Sequence, residues 1–334
     1  MISIRTLISE IVTGLGMLPS DSLEEVMNRE IPPAELDGVD PETWTALRNA
    51  WLETPWTAEF QFAFDDGRYF FHAEDALRDR PPHLVEWKGP HRPPEQNALP
   101  ADLRVDRVFI VSCKSLSKIL LNPSPVALFR SALRLADFSG ADWYNEVAPD
   151  EYETLYAAVV RHLGLAGFPA RPAELNRQQR DRLKTGLRGG WPTNLKIEVN
   201  DFVSAVSSRS AEALNAALSN RGLREVFYWR LMRLHSAPYF ILGRQQSGPT
   251  RLRVLTPWDF RRQFRFDELE IDADQVGQPQ LKWTAHFVDL AHNRQTSTNG
   301  HIEIRWSHGK FNGAPEAKIY LDTRHADACG YHPL

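Results

Sequence analysis

The chain has 334 residues, 42% hydrophobic, 25% charged and 10% aromatic, with a formal net charge of −4. That mix excludes wholesale disorder, collagen and coiled coil, and a chain of this length can bury a full core without staples. Two cysteines, Cys113 and Cys329, are too few for a disulfide framework or a four-thiolate zinc site, and they suit a reducing, cytoplasmic setting.

Residues 3–15 place Ile4, Leu7, Ile8, Ile11, Val12 and Leu15 at helical spacing. Asp21, with Glu24 three residues on, reads as a capping box for a short helix through Asn28, which Ile31-Pro32-Pro33 breaks. Pro41-Glu42 opens a helix to about Glu53, with Trp44, Leu47 and Trp51 on one side. Residues 58–64 then alternate, Asp65-Asp66-Gly67 reads as a turn, and 68–72 alternate again, which predicts a β-hairpin. A third short strand is expected at 84–88. The stretch 89–102 is too rich in proline for a regular helix. Residues 105–113 predict one buried strand, and 115–121 a helix stopping at Asn122-Pro123.

Further helices are expected from Pro149 to near Gly164, from Pro172 to about Gly186, and over 201–221 with Asn200 as its cap. The last third reads as strands at 227–234, 239–242, 251–255, 281–288, 301–306 and 317–321. The expected fold is α+β: an N-terminal mixed sheet with flanking helices and a mainly antiparallel C-terminal part. Gly189-Gly190-Trp191-Pro192 suggests a boundary, giving units of 1–190 and 191–334. No run reaches the ~18–20 apolar residues that span a bilayer, so no membrane partner is expected. The N-terminus lacks the basic and apolar regions of a signal peptide.

Charge is unevenly spread. Residues 1–60 carry eleven acids and three arginines, whereas 221–265 carry ten arginines and two acids. The acidic part could dock a protein partner, and the basic band could hold a polyanion. A solvated sheet face in an arginine-rich proteome is the alternative, since Arg outnumbers Lys 31 to 8.

The segment Glu86-Trp87-Lys88 carries the sharpest chemical suggestion. Residues two apart on a strand share a face, so Glu86 and Lys88 would point into one space. With a second carboxylate from Asp75 (or its neighbour Glu74), the acids could hold Mg²⁺ or Mn²⁺ while the ammonium meets a phosphate or a water. The order of helix, hairpin, acid, strand bearing Glu86-x-Lys88 and further buried strand resembles the PD-(D/E)xK, or restriction-endonuclease-like, nuclease superfamily over residues 41–121. The resemblance implies a metal-dependent nuclease acting on DNA or RNA, as in restriction or anti-phage defence. It makes Asp75 and Glu86 metal ligands and Asp75, Glu86 and Lys88 the catalytic set, with Glu53 or Glu42 assisting from the first helix. Two departures stand against it: no proline precedes the first acid, and a Pro-rich stretch replaces the family's helix after the ExK strand.

A second triplet, Glu316-Ala317-Lys318, lies thirteen positions after Glu303 and offers another two-strand acid site. The alternative for both triplets is an exposed strand face bearing an ion pair. Lys114 could contact a phosphate near the first site, and Cys113 reads as a small buried hydrophobe. Arg305-Trp306-Ser307-His308-Gly309-Lys310 packs cations, an aromatic, a hydroxyl and an imidazole around a glycine turn, a mix suited to a nucleic acid backbone and base. A hairpin tip with Trp306 packed inward is the alternative. Arg230, Arg233, Arg261 and Arg262, interleaved with aromatics, are further candidate nucleic-acid contacts. His325, Cys329 and His332 could meet a soft metal. The P-loop, dinucleotide, nucleophile-elbow and zincin motifs are missing. The two functions expected are therefore a metal-dependent nuclease and a non-catalytic nucleic-acid-binding or scaffolding subunit.

Overall fold

The computed structural model describes residues 2–19, 22–89, 101–115, 119–121, 123, 125, 128–129, 142–245, 248–275 and 277–334. The first helix forms as expected but in three pieces: α1 (Ile4–Leu7), a π turn (Ile8–Val12) and α2 (Thr13–Gly16). Ser22 caps α3 (Leu23–Met27), accepting from the Glu25 amide; Asp21, with the capping box expected there, lies outside the described residues. β1 (Leu36–Asp37) follows, then α4 (Pro41–Trp51), capped by Asp40.

The expected hairpin at 58–72 is instead one helix, α5 (Thr57–His72). The same aromatics that alternate also fall at helical spacing: Phe60, Ala63, Phe64, Gly67, Phe70 and Phe71 form one buried stripe. A helix satisfies all of them at once, and Asp65-Asp66-Gly67 lies inside it. β2 (Val85–Trp87) matches its expected strand. The strand expected over 105–113 is split into β3 (Leu103–Val105) and β4 (Phe109–Ser115). Asp106 and Arg107 turn the chain with positive φ, and the Asp106 carboxylate accepts from the His83 and Leu84 amides. The helix expected over 115–121 is corrected to the end of β4 and to β5 (Ile119–Leu121); residues 116–118 lie outside the described set.

Next come α6 (Trp143–Val147), α7 (Pro149–His162), α8 (Arg177–Gly186) with an Asn176/Gln179 capping box, and α9 (Lys196–Ala217), which encloses Asn200 rather than starting at it. The strand expected at 227–234 is corrected to α10 (Arg221–Leu231), whose buried Phe227, Tyr228 and Leu231 sit on a helical stripe. β6 (Tyr239–Gln245), β7 (Gly248–Val254) and α11 (Pro257–Gln263) follow. β8 (Phe264–Gln275) was hidden by its acids: Glu268, Glu270 and Asp272 face out while Phe266, Leu269 and Ile271 are buried. β9 (Pro279–Asp289), β10 (Arg294–Arg305), β11 (Glu316–Leu321) and β12 (Tyr331–Pro333) complete the chain.

The fold is α+β, in two units that interleave along the sequence. The first comprises 1–118, 232–263 and 324–334; the second comprises 119–231 and 264–323, so residue 190 falls inside the second. The first unit holds a mixed seven-stranded sheet of order β1-β2-β3-β4-β6-β7-β12, in which β1/β2 and β4/β6 are parallel. α5 packs beneath it, the Phe70 ring lying 4.9 Å from Phe240 and 5.8 Å from Phe109. α2 crosses α5 at bare backbone: a Cβ on Gly67 would fall 2.1 Å from the Thr13 carbonyl oxygen, and one on Gly16 would fall 2.2 Å from that of Phe64. The second unit holds an antiparallel sheet of order β5-β11-β10-β9-β8. On it lie α9, tied by Asn215 Nδ2 to the Ile271 carbonyl at 2.8 Å, and α10, whose Tyr228 ring is 4.9 Å from Phe287.

Candidate functional site

The carboxylates expected to share a metal do not meet. Glu86 is buried, and Arg104 grips it with both arms, Nε at 2.6 Å and a terminal nitrogen at 2.7 Å; Lys88 Nζ adds a third contact at 3.2 Å. The Arg104 hydrogen bonds, despite some burial, hold this carboxyl below its usual range. Asp75 sits half-exposed just beyond α5 and pairs with Arg253 at 3.1 Å. The ladder Glu86↔Arg104↔Ile110↔Tyr239↔Val254 puts Glu86 on one face of the sheet. Arg253 pairs with Phe240, whose ring packs on α5, and so projects from the other face. β2 and β7 are also four strand steps apart, about 19 Å at the usual interstrand spacing. Asp75 and Glu86 therefore cannot chelate one ion, and the pair does not fit Mg²⁺ or Mn²⁺. Glu74, Glu42 and Glu53 are solvent-exposed.

Asp37, the partner of Glu86 on β1, shares its face of the sheet, as does Asp102, unforeseen because it closes the Pro-rich stretch. The Asp102 carbonyl accepts from the Lys88 amide at 3.0 Å, and its carboxylate accepts from Ser112 Oγ and the Cys113 amide at 3.1 and 2.7 Å. These bonds knit β2, β3 and β4 together. Burial pushes the Cys113 thiol well up, which keeps it a small hydrophobe. Lys114 lines a small pocket of about 60 Å³ beside the π turn, with Asp66 and Arg244. Asp66 is buried against Arg251 Nε at 2.7 Å, and burial outweighs that arginine, pushing its carboxyl up to about 7.

The second triplet is a charge checkerboard. Glu303 is opposite Lys318 and Arg305 opposite Glu316 across β10 and β11, so each acid faces a base. In the tail, burial depresses His325 to about 4, while His332 Nε2 bonds Gln263 at 2.9 Å and Cys329 is buried. Among the described residues no three His, Cys, Asp or Glu side chains gather where they could hold a metal ion.

The basic band is largely consumed by the fold. Arg233 is buried with its NH1 2.5 Å from Tyr239 Oη, so it is not available to a nucleic acid. Arg224 donates to the Leu218 and Leu269 carbonyls, and Arg251 and Arg253 pair with acids. Arg230 is half-buried, which lowers its pKa. Arg261 and Arg262 remain exposed, with Arg262 4.7 Å over the Trp258 ring.

The segment 305–310 fares differently, because it forms one wall of a cleft of about 680 Å³ within the second unit. The opposite wall comes from the end of α8 and the turn after it: Lys184, Leu187, Arg188 and Trp191. α9 supplies Phe202, and the β8–β9 connection supplies Gly277, Gln278 and Pro279. Among the described residues five basic side chains, Lys184, Arg188, Arg305, His308 and Lys310, line the cleft, and no carboxylate does. Trp306 stacks on Phe202 at 6.0 Å and 12°, and its ring lies 6.3 Å from Trp191. Trp306 and Trp191 are half-buried, whereas Phe202 and Tyr144 are buried beneath. Gly309 has φ +106, and a Cβ there would meet Lys184 Cγ at 2.6 Å, so only glycine lets the two walls approach.

Lys310 is the most unusual cation here. Its ammonium donates to the Leu187 carbonyl at 3.1 Å and sits 4.8 Å over the Trp191 ring, and partial burial lowers its pKa. Among the described residues no carboxylate pairs with it. Arg305 is tied to Glu303 at 3.2 Å, and His308 lies 3.9 Å from Glu316, so these two are partly neutralised from outside the cleft. Sequence reasoning found the 305–310 wall but not Lys184, Arg188 and Trp191, which arrive from more than a hundred residues upstream. Among the described residues no helix is long and apolar enough to cross a membrane. Comparison with protein families, curated proteins and solved structures returned no match to this chain.

Proposed function

We propose that this protein binds nucleic acid without cutting it, through the cleft between α8, α9 and the 305–310 turn. The observation that carries the reading is the lining: among the described residues, five basic groups and two half-buried indoles, with no acid among them. A concave, positively charged wall attracts phosphates, and aromatic rings beside it offer stacking partners for bases. The nuclease alternative loses its support with the separation of Asp75 from Glu86, whose charge Arg104 and Lys88 already neutralise.

The test is a salt titration of labelled DNA and RNA with the full chain, with and without Mg²⁺. Binding should weaken linearly in log salt, and Arg188→Ala should lower the slope by about one, as expected for one lost phosphate contact. Salt-insensitive binding, or none, refutes the proposal. Metal-dependent cleavage abolished by Glu86→Ala would refute it in favour of the nuclease.

A further inference from the structure

Building on that reading, we infer that the cleft takes an unpaired nucleotide of a single strand, with its base against Trp191 and its phosphate on Lys310. At about 680 Å³ the cleft has the size of a small-molecule pocket, enough for a nucleotide or two. In a duplex the π-faces of the bases are covered by their neighbours and only edges show in the grooves. Indoles recessed in a cavity of this size reach a base face only when the base is splayed out, as in single strands, loops and ends.

The charge arrangement agrees. Lys310 is held over the Trp191 ring and tethered to a carbonyl, half-buried and, among the described residues, with no carboxylate paired to it. A phosphate would supply the missing counter-charge, and a base attached to it would stack on the face of the Trp191 ring opposite the ammonium. The two requirements, an anion and a flat aromatic surface joined by a short linker, describe a nucleoside phosphate. A featureless polyanion meets only the first of them.

The experiment measures fluorescence anisotropy with the full chain. It uses a labelled ten-nucleotide single strand, a blunt duplex of the same sequence, and competition by inorganic polyphosphate and by a mononucleotide. The single strand should bind at least tenfold tighter than the duplex. The mononucleotide should compete only at much higher concentration, since it has one phosphate and no neighbouring contacts. Trp191→Ala should weaken single-strand binding roughly 5- to 150-fold, the loss of one base stack. Trp191→Phe, which keeps an aromatic face, should restore most of it and separates lost stacking from lost folding. Polyphosphate competition should stay within about twofold in both variants.

Equal affinity for strand and duplex would overturn the inference while leaving nucleic-acid binding intact. So would a parallel loss of polyphosphate binding in Trp191→Ala with no rescue by Phe. A mononucleotide matching the strand would replace the strand by a free nucleotide as ligand. Failure to bind any of these probes would overturn the underlying reading itself.

Discussion

Replacing Gly67 by alanine sets two physical effects against each other. Gly67 lies in the middle of α5, where intrinsic propensity favours alanine by about 0.8–1 kcal/mol. The crossing with α2 says the opposite. The new Cβ would stand 2.1 Å from the Thr13 carbonyl oxygen and 2.8 Å from Gly16 Cα, both of them backbone. Real Cβ contacts essentially never fall below 3.0 Å, so the helices must part by about 0.9 Å. A gap of 0.5–1 Å forfeits roughly a quarter to a half of each dispersion contact across it. The fully buried Ile11, Val12, Leu15 and Phe60 belong to the same core cluster as the two helices' buried residues. Overpacking of this kind costs about 1–3 kcal/mol, and with no flexible side chain to move aside the upper end applies. Net of propensity, Gly67→Ala should destabilise by about 2 kcal/mol. Equilibrium urea unfolding followed by far-UV circular dichroism measures it as a lowered midpoint at unchanged slope. Gly222→Ala in α10 is the control: its Cβ would meet only Asn220 Oδ1 at 3.4 Å, so it should gain up to about 1 kcal/mol. A neutral or stabilising Gly67→Ala would refute the close-crossing argument.

Stability should also respond to pH through Asp66. Its folded pKa of about 7 lies above the 3.8 of an ordinary aspartate, so the folded state holds the proton more tightly. The stabilisation is complete below pH 4 and is lost as pH rises to 7, by up to about 4 kcal/mol. Asp66→Asn should flatten the wild-type curve over that window; identical profiles would remove the basis. Glu86→Ala strands Arg104 and Lys88 beside a buried position and should cost about 3 kcal/mol by chemical denaturation, with Arg104→Ala similar. A cost below 0.5 kcal/mol for both would mean that the pair is no more than a surface ion pair.

What could be read in advance followed from how many constraints each segment carried. α4 announces itself by a proline at its first position and a clear apolar stripe, and it forms where expected. α5 has no side-chain cap, and its aromatics satisfy both a period of two and a period near 3.6 over their first seven residues. Only the partner helix decides between them, and Gly16 lies 51 positions before Gly67. β8 was concealed because its outward face is nearly all acid, which depresses strand propensity without opposing the buried Phe266, Leu269 and Ile271. The proposed site divides in the same way. Arg305 to Lys310 is contiguous and chemically dense, so it stood out. Trp191 read as part of a boundary between units, because nothing local says that it will lie under Lys310. The Glu86-x-Lys88 spacing did place both side chains together, but the spacing could not show that Arg104 would arrive opposite and occupy the carboxylate.

The interleaving of the two units bears on how the protein can be dissected and made. The chain passes between them four times, after residues 118, 231, 263 and 323. No single scission separates one from the other with its sheet complete. A fragment stopping at 263 would leave the outer edge of β7 bare, because β12 is the strand that covers it. During synthesis, that edge emerges well before its cover and must wait in the open, where an unpaired strand invites association with other chains. The tail from 324 onward is thus the seal on the first sheet, and its removal should show first as aggregation during expression, ahead of any loss at the cleft.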